Sequence, residues 1–425
     1  MKKLGVAILG LGTVGGGTYE ILTKNHDKIL KVDEIDVEVK AVLELNKERA
    51  LALGVKEENI YTDINQVVKN DEIDVVVEVI GGTGVAKKFI ELALENGKTV
   101  VTANKELIAK HWCELEKIAK AHNAGFYFEA SCVGGVPIIR VLNEAMQANN
   151  LESIKGIING TTNFILSKMS NEGLSYESVL KEAQANGFAE ANPTADVEGY
   201  DASYKLSILS SLAFNKKVPL SKIYREGITN VDTTDIAYGK ELGYTLKLLA
   251  IAKDTPQGVE ARVHPAFVKD DNPLSSVSGP FNAVMIHGDM VDDIMLYGRG
   301  AGSLPTGSAI VSDVIFAGKT QKHRYSSFDN TDEAGEKTVF NQNFESRYYI
   351  RLTTENIAGV LKDITGIFCD HEISITAITQ KEVKGDKASI IFITDTTSEN
   401  QIKQALSEIN ALKTLKKIDA LIRVE

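Results

Sequence analysis

Over its first 130 residues the chain alternates between two hydrophobic rhythms. Short, nearly continuous apolar runs, LGVAIL (4–9), VEVKAVLEL (37–45), DVVVEVIG (74–81), KTVVTAN (98–104) and GFYFEAS (125–131), are separated by longer segments with helix-like spacing, such as TYEILTKNHDKIL (18–30). The runs are too short for helices and rich in valine, as strands covered on both faces are. Strand and helix in alternation predict a parallel, doubly wound sheet, with ligands at the carboxyl ends of its strands. GGTG (81–84) and TANKE (102–106) fall there.

Further along, EARVHPAFV (260–268), FNAVMIHG (281–288) and DDIMLYG (292–298) read as strands, and GSAIVSDVIFAG (307–318) reads as a helix that returns to the first unit. Residues 319–346 are polar and turn-rich with no apolar period, which predicts a linker or an ordered surface wrap. After it, RYYIRLTTEN, IAGVLKDITGIFCDHE, ISITAITQKEV, KASIIFITDT, SENQIKQALSEINAL and IDALIRVE read as strand, helix, strand, strand, helix, strand. That order is the ferredoxin-like split βαβ arrangement.

A chain of 425 residues exceeds a single core and implies two or three domains. Lysine and arginine number 47 against 58 acidic residues, a net charge of -11 without long runs. This balance argues against nucleic acid or an anionic membrane as partner and favours small metabolites. Met1-Lys2-Lys3 and the apolar run behind it imitate a secretion signal, but Leu4–Leu9 is too short and glycines interrupt the residues after it. No stretch approaches the roughly 18 apolar residues of a membrane span. Three cysteines with no pair at metal spacing agree with a reducing compartment, so a cytoplasmic protein is expected.

Gly10-Leu11-Gly12-Thr13-Val14-Gly15 follows the first strand and opens a helix, the context in which G-x-G-x-x-G binds a dinucleotide. Gly10 makes the tight turn, Gly12 admits a pyrophosphate to the backbone, and Gly15 lets helix and strand pack closely. The fold class predicted is therefore α/β, a Rossmann-type doubly wound sheet followed by an α+β unit and the split βαβ tail. Glu44 ends the second strand and is the candidate for the ribose hydroxyls, although it lies further from Gly15 than the usual spacing of about 20 residues. No arginine is seen beside it to accept a 2′-phosphate, so the cofactor reading leans to NAD over NADP.

In GIINGTTNFIL (156–166) a strand breaks at Asn159-Gly160 into a helix that Thr161 and Thr162 can cap, a start suited to a carboxylate. In ANGFAEANPTADVEGYDASYK (185–205) a helix beginning near Val197 carries Asp201 and Lys205 one turn apart. Such a pair is usually solvated, but Ile208 and Leu212 continue the same face, which places it on the inward stripe. With Glu190 and Asp196 in the preceding loop, the segment reads as a site.

The glycine loop, TANKELIA, EASCVGGVPII, NGTTNFIL, GFAEANPTADVEGYDASYK and GRGAGSLPTGSAIVSDVI, in this order and spread over nearly the whole chain, resemble the homoserine dehydrogenase family. The resemblance implies NAD(P)H-dependent reduction of L-aspartate 4-semialdehyde to L-homoserine, the branch step toward threonine and methionine. It also implies a nucleotide-binding domain at 1–132 completed by 300–318, a catalytic and dimerisation domain at 133–299, and a homodimer or homotetramer. On the matched positions, Lys205 is the acid–base lysine oriented by Asp201, and Lys105 polarises the substrate oxygen or contacts the nicotinamide. Glu190 and Asp196 would take the substrate ammonium, and Gly160 and Thr161 its carboxylate. Gly82 and Gly302, with the glycine loop, would line the cofactor. A structural monovalent cation such as Na+ would be held by Glu129 and by main-chain carbonyls of Cys132, Gly134 and Val136. Asn192 stands where the signature often has Asp, and Cys132-Val133 where a smaller pair is frequent; neither departure removes a group assigned to chemistry.

Residues 347–425 resemble the ACT domain, an amino-acid-binding module, with ENIAGVL (355–361) carrying Ala358 where a proline is common and keeping Gly359. The resemblance implies an amino-acid effector, threonine being favoured, whose carboxylate would meet the first helix start. Two other readings fit the glycine loop alone: an amino-acid dehydrogenase of the same architecture acting at a C–N bond, and a cofactor sensor without turnover. The Glu190–Lys205 block disfavours both.

Overall fold

The first half of the chain is organised by one all-parallel sheet of six strands: β1 (Lys2–Leu9), β2 (Ile35–Leu43), β3 (Ile60–Tyr61), β4 (Val75–Glu78), β5 (Thr99–Thr102) and β6 (Phe126–Tyr127). The computed structural model describes residues 2–320, 323–326 and 338–425. Strand order is β3-β2-β1-β4-β5-β6, so the direction of winding reverses between β1 and β4, which puts the glycine loop at the switch point. Helices α1 (Thr13–Lys24), α2 (His26–Asp33), α3 (Lys47–Ala52), α4 (Ile64–Val68), α5 (Val85–Glu95) and α6 (Lys105–Ala121) connect the strands. The valines of β4 are buried on both faces, as their unbroken apolar run requires.

The fifth predicted run is corrected by the structure. Of residues 125–131 only Phe126 and Tyr127 pair, with Val100 and Val101. At Glu129–Ser131 the chain turns in a single 3-10 turn. The Glu129 carboxylate there accepts the N–H groups of Ile139 (2.8 Å) and Arg140 (2.7 Å), which ties the turn to the short α7 (Ile138–Arg140).

The chain then leaves the first sheet through β7 (Leu151–Ile157), α8 (Gly160–Glu172), α9 (Tyr176–Ala185), α10 (Thr194–Val197), α11 (Tyr200–Phe214), β8 (Tyr224–Arg225), α12 (Thr233–Glu241) and the strands β9 (Tyr244–Thr255), β10 (Gly258–Lys269), β11 (Phe281–Gly288) and β12 (Asp292–Arg299). The three strands anticipated here form, and β9 is an addition. The predicted helix near Val197 is two helices, because Gly199 at φ 77° breaks α10 from α11.

Helix α13 (Ser303–Lys319) returns to the first unit and crosses α1. A Cβ at Gly17 would lie 2.4 Å from Ser303 Oγ, and one at Gly307 would lie 2.9 Å from Thr18 N, so both crossing points need glycine. Ile310 and Val314 thereby join the core around Leu4, Val6 and Ile8.

All predicted elements of the tail form: β13 (Glu345–Glu355), α14 (Val360–Asp370), β14 (Ile375–Lys384), β15 (Lys387–Thr394), then the two-residue β16 (Thr397–Ser398), α15 (Glu399–Asn410) and β17 (Leu415–Val424). Its sheet is continuous with that of the middle unit. β17 pairs in parallel with β10 at Ala266–Arg423 and Phe267–Val424, giving one eleven-stranded sheet. Buried ion pairs reinforce the seam, Arg351 with Asp235 at 2.6 Å and Arg262 with Glu425 at 2.8 Å.

Part of the polar connection lies against the first unit, where the Tyr325 hydroxyl donates to the Ala124 carbonyl (3.0 Å) and Ser326 N–H to Glu116 (2.7 Å). Residues 321–322 and 327–337 of the predicted linker lie outside the described residues. No helix among the described residues is long and apolar enough to cross a membrane.

Candidate active site

The glycine loop has the stereochemistry its pattern demands. Gly10 sits at φ 92°, a conformation L side chains rarely adopt, and a Cβ on Gly15 would lie 2.0 Å from the Gly10 carbonyl oxygen. Gly12 has nothing within 4 Å of its would-be Cβ, which is open space on the ligand side. Gly12 caps α1 without a side-chain hydrogen bond, so the N–H groups of the first turn, at Thr13 and Val14, have no side-chain cap and suit an anion. These features fit a dinucleotide pyrophosphate.

The Leu11 N–H donates to Glu44 Oε2 (2.8 Å) and the Asn46 N–H to Glu44 Oε1 (2.9 Å), so Glu44 is fixed beside the loop. Burial pushes its carboxyl up, but these N–H groups and the charge of Arg49 outweigh burial and hold it below the usual range. The sequence expectation that Glu44 has no arginine beside it is thus corrected, because α3 carries Arg49 into its neighbourhood. At the ends of β4 and β5, buried Glu78 accepts from Ile80 N–H, Gly81 N–H and the Thr102 hydroxyl. The Asn104 amide donates to the Gly82 carbonyl (2.7 Å), joining GGTG to TANKE. Gly82 is at φ 73° and Gly302 at φ 127°. Gly302 precedes the Ser303 that touches Gly17 of α1, which places it near the same loop.

Across from this cradle, Asp201 gathers the chemistry. Its Oδ2 lies 2.7 Å from Lys205 Nζ and its Oδ1 3.3 Å from Lys105 Nζ. Lys105 is the first residue of α6, past the strand end where the sequence placed it, because Asn104 caps that helix by accepting the Leu107 N–H. Lys205 and Asp201 are 8% and 6% exposed, so the pair is buried, as the inward stripe predicted. Burial opposes ionisation of Asp201, but the two ammonium groups hold its carboxyl well below the usual carboxylate range. Asp201 in turn raises the Lys105 ammonium above its ordinary value, helped by Asp196 and Glu190. Lys205 Nζ also donates to the Ile158 carbonyl (2.8 Å), which leaves one N–H for a ligand.

Asn159 is the residue sequence reasoning missed. Its amide donates to Asp196 (2.7 Å) and Asp201 (2.8 Å) while its oxygen accepts the Thr162 N–H (2.9 Å). It, rather than Thr161 or Thr162, caps α8 through its side chain. Burial, then the charge of Asp201, pushes the Asp196 carboxyl up. The Thr161 hydroxyl donates to the Phe188 carbonyl (2.6 Å) and holds the loop that leads to exposed Glu190. Gly160 packs under the Pro280 carbonyl, 3.0 Å from its would-be Cβ. The structure therefore brings Lys105, Asp196, Asp201, Lys205 and the α8 start together, with Glu190 near enough for its charge to act on Lys105.

Beside this cluster, Val133 and Gly134 take φ 56° and 55°, and the buried Cys132 thiol faces the Lys205 carbonyl at 3.9 Å. Burial, then Asp313, pushes the Glu129 carboxyl up to about 8. Among the described residues no group of three or more His, Cys, Asp or Glu side chains is placed to hold a metal ion, so a cation here would need main-chain oxygens beside Glu129. A β-branched residue at positive φ marks a loop held against its own preference, and the oxygen-only donors fit a hard cation.

A dinucleotide-binding sheet facing a buried aspartate–lysine pair with a second, half-exposed lysine on the same carboxylate defines a nicotinamide-linked oxidoreductase. Family profiles agree, matching "Homoserine dehydrogenase, NAD binding domain" over residues 10–129, "Homoserine dehydrogenase" over 137–315 and "ACT domain" over 348–414. The chain belongs to the homoserine dehydrogenase family. It is 40% identical to the homoserine dehydrogenase of Neisseria gonorrhoeae, over 100% of this chain and 99% of that one, and 38% identical to that of Bacillus subtilis with the same coverage. The crystal structure of a homoserine dehydrogenase from Thiobacillus denitrificans superposes with a TM-score of 0.94 at 40% identity, covering 100% of this chain and 99% of that one. A hyperthermophilic archaeal homoserine dehydrogenase in complex with NADPH matches at TM-score 0.65 and 29% identity, over 76% of this chain and all of that one.

Proposed function

We propose that the chain interconverts L-aspartate 4-semialdehyde and L-homoserine with Lys205 as the acid–base group. The observation that carries this is the single buried carboxylate of Asp201 shared by two lysines at the mouth of the dinucleotide cradle. A dinucleotide held by the glycine loop and Glu44 would supply or accept the hydride. As negative charge builds on the aldehyde oxygen, the free N–H of Lys205 donates its proton there, and in the oxidative direction the neutral amine takes the hydroxyl proton. Asp201 orients Lys205 and keeps Lys105 protonated, so Lys105 polarises the same oxygen. Glu190 and Asp196 meet the substrate ammonium. The backbone N–H groups of Gly160 and Thr161 meet its carboxylate, since the Thr161 hydroxyl proton is already committed.

For the cofactor, Glu44 supports NAD and Arg49 supports NADP; the two backbone N–H groups that fix Glu44 where ribose hydroxyls would lie tip the reading to NAD. A monovalent cation such as Na+ would be held by Glu129 and the main-chain carbonyls of Cys132, Gly134 and Val136, as membership of the family suggests. The tail, residues 347–425, takes an amino-acid effector, threonine being favoured, in a cytoplasmic homodimer or homotetramer. The same reading divides the chain into 1–132 with 300–318, 133–299, and a linker at 319–346.

The test is homoserine-dependent reduction of NAD and of NADP at alkaline pH. Turnover with homoserine, faster with NAD, is expected. No homoserine-dependent reduction with either nucleotide overturns the reading, and reduction driven by ammonia-releasing amino acids in its place supports the C–N alternative.

A further inference from the structure

The segment from Tyr224 to Thr229 joins the C-terminal unit to the turn that separates Asp196 from Asp201. On one side it is held by Arg423 of β17, which is 2% exposed. The Arg423 guanidinium donates to Glu226 Oε2 (2.8 Å) and to the Tyr224 hydroxyl (3.0 Å), and it lies over the Tyr224 ring at 4.8 Å. The Tyr224 hydroxyl donates in turn to Glu226 (3.1 Å).

On its other side the segment grips the turn after α10. The Ile228 N–H donates to the Val197 carbonyl (2.8 Å), the Arg225 guanidinium donates to the Glu198 carbonyl, and the Thr229 hydroxyl donates to the Glu198 carboxylate (2.9 Å). A Cβ on Gly227 would lie 2.4 Å from the Val197 oxygen, so the two backbones are in direct contact. Gly199, whose left-handed conformation sets the angle between α10 and α11, would place a Cβ 3.6 Å from the Glu226 oxygen.

Neutralising the buried guanidinium does not require Glu226. Glu399, 2% exposed, already pairs with Arg423 at 2.6 Å, whereas the Glu226 side chain is 40% exposed. What the Glu226 contact adds is a second side-chain tie from the 224–229 segment to the tail, beside the Tyr224 hydroxyl and at the residue whose N–H also holds the segment to the Val263 carbonyl of β10 (2.8 Å).

We propose that Glu226 and Arg423 are positioning residues for the substrate site, fixing Asp196 relative to the Asp201–Lys205 pair through the Val197–Gly199 turn. The C-terminal unit is by this route a working part of the substrate pocket, and any shift of β17 is delivered to Asp196. The proposal rests on the reading of Asp196, Asp201 and Lys205 as the site.

The experiment uses the full chain and three variants. Glu226→Ala is expected to raise the KM for homoserine about fivefold while the dinucleotide KM stays within about twofold, a coupling of the size carried by packed networks. Glu226→Gln, whose amide oxygen still accepts from Arg423, is expected to restore the homoserine KM to within about twofold of the parent. An unchanged homoserine KM in Glu226→Ala overturns the proposal. A joint rise in both KM values with a lowered melting temperature that Glu226→Gln does not rescue also overturns it, because that pattern is loss of fold. Lys205→Ala assayed alongside separates the two failures: if it keeps the parent kcat, the acid–base reading falls whatever Glu226→Ala does to KM.

Discussion

One carboxylate decides the electrostatics of the site. Asp201 holds both lysines, so replacing it by Asn removes the carboxylate that bridges the two ammonium groups and leaves them the weaker charges of Asp196 and Glu190. Asp201→Asn should lower kcat by about 10²-fold, the scale of a misplaced acid–base group. Because Asp201 raises Lys105, the loss of its charge lowers the pH at which Lys105 deprotonates. The alkaline limb of the aldehyde-reduction profile should move to lower pH, and an unmoved limb would contradict the role given to Lys105. Another buried cation, Lys247, donates to the Val277 carbonyl (2.6 Å), and burial pulls it down to about 8. A lysine depressed on folding is a penalty that is full below about pH 8 and fades as pH rises toward its unfolded value near 10.5. Lys247→Met should therefore gain melting temperature on the parent at pH 7 and lose that advantage by pH 10. The Asp201–Lys205 pair was legible because its spacing put charge on an apolar stripe. Lys247 and Asn159 were not, since a lone lysine in a strand and an asparagine before a glycine look like ordinary surface and turn residues.

The elements were legible where one face or both faces imposed a rhythm. The valine-rich runs of the first sheet and the alternations of the tail formed as expected. Strand β9, YTLKLLAIAKDT, escaped because leucine, alanine and lysine favour helix and because burial of both its faces erased the alternation. Residues 125–131 read as a strand because the Glu129 contacts that turn the chain come from residues further on. The glycine turn gives a test that separates ligand space from packing. Gly12→Ala should leave the melting temperature within about 2 °C of the parent, since nothing lies within 4 Å of the added carbon, yet should raise the dinucleotide Kd at least about tenfold. Gly15→Ala should damage both, because its Cβ would strike the Gly10 carbonyl. Equal dinucleotide binding by Gly12→Ala and the parent would remove the loop from the cofactor site.

At the scale of the molecule, the middle unit and the tail, read from sequence as separate domains, share a sheet. The β10–β17 seam joins residues far apart in the chain through two parallel pairs, which no local pattern announces. Ending the chain at Ser346 would strip β17 from β10 and leave Asp235 and Arg262 without Arg351 and Glu425. Removing one partner of a buried pair costs about 3–5 kcal/mol, so the shortened protein should unfold or aggregate under conditions where the full chain stays folded. A shortened chain with the parent melting temperature would show that the seam is incidental. Proton transfer to the Asp201-oriented amine of Lys205 during homoserine oxidation is tested by kcat for that reaction in Lys205→Ala, with dinucleotide binding measured by fluorescence on the same sample. A kcat at least about 10²-fold below the parent with dinucleotide affinity retained is the expected result; a kcat within about threefold of the parent would contradict the role given to Lys205.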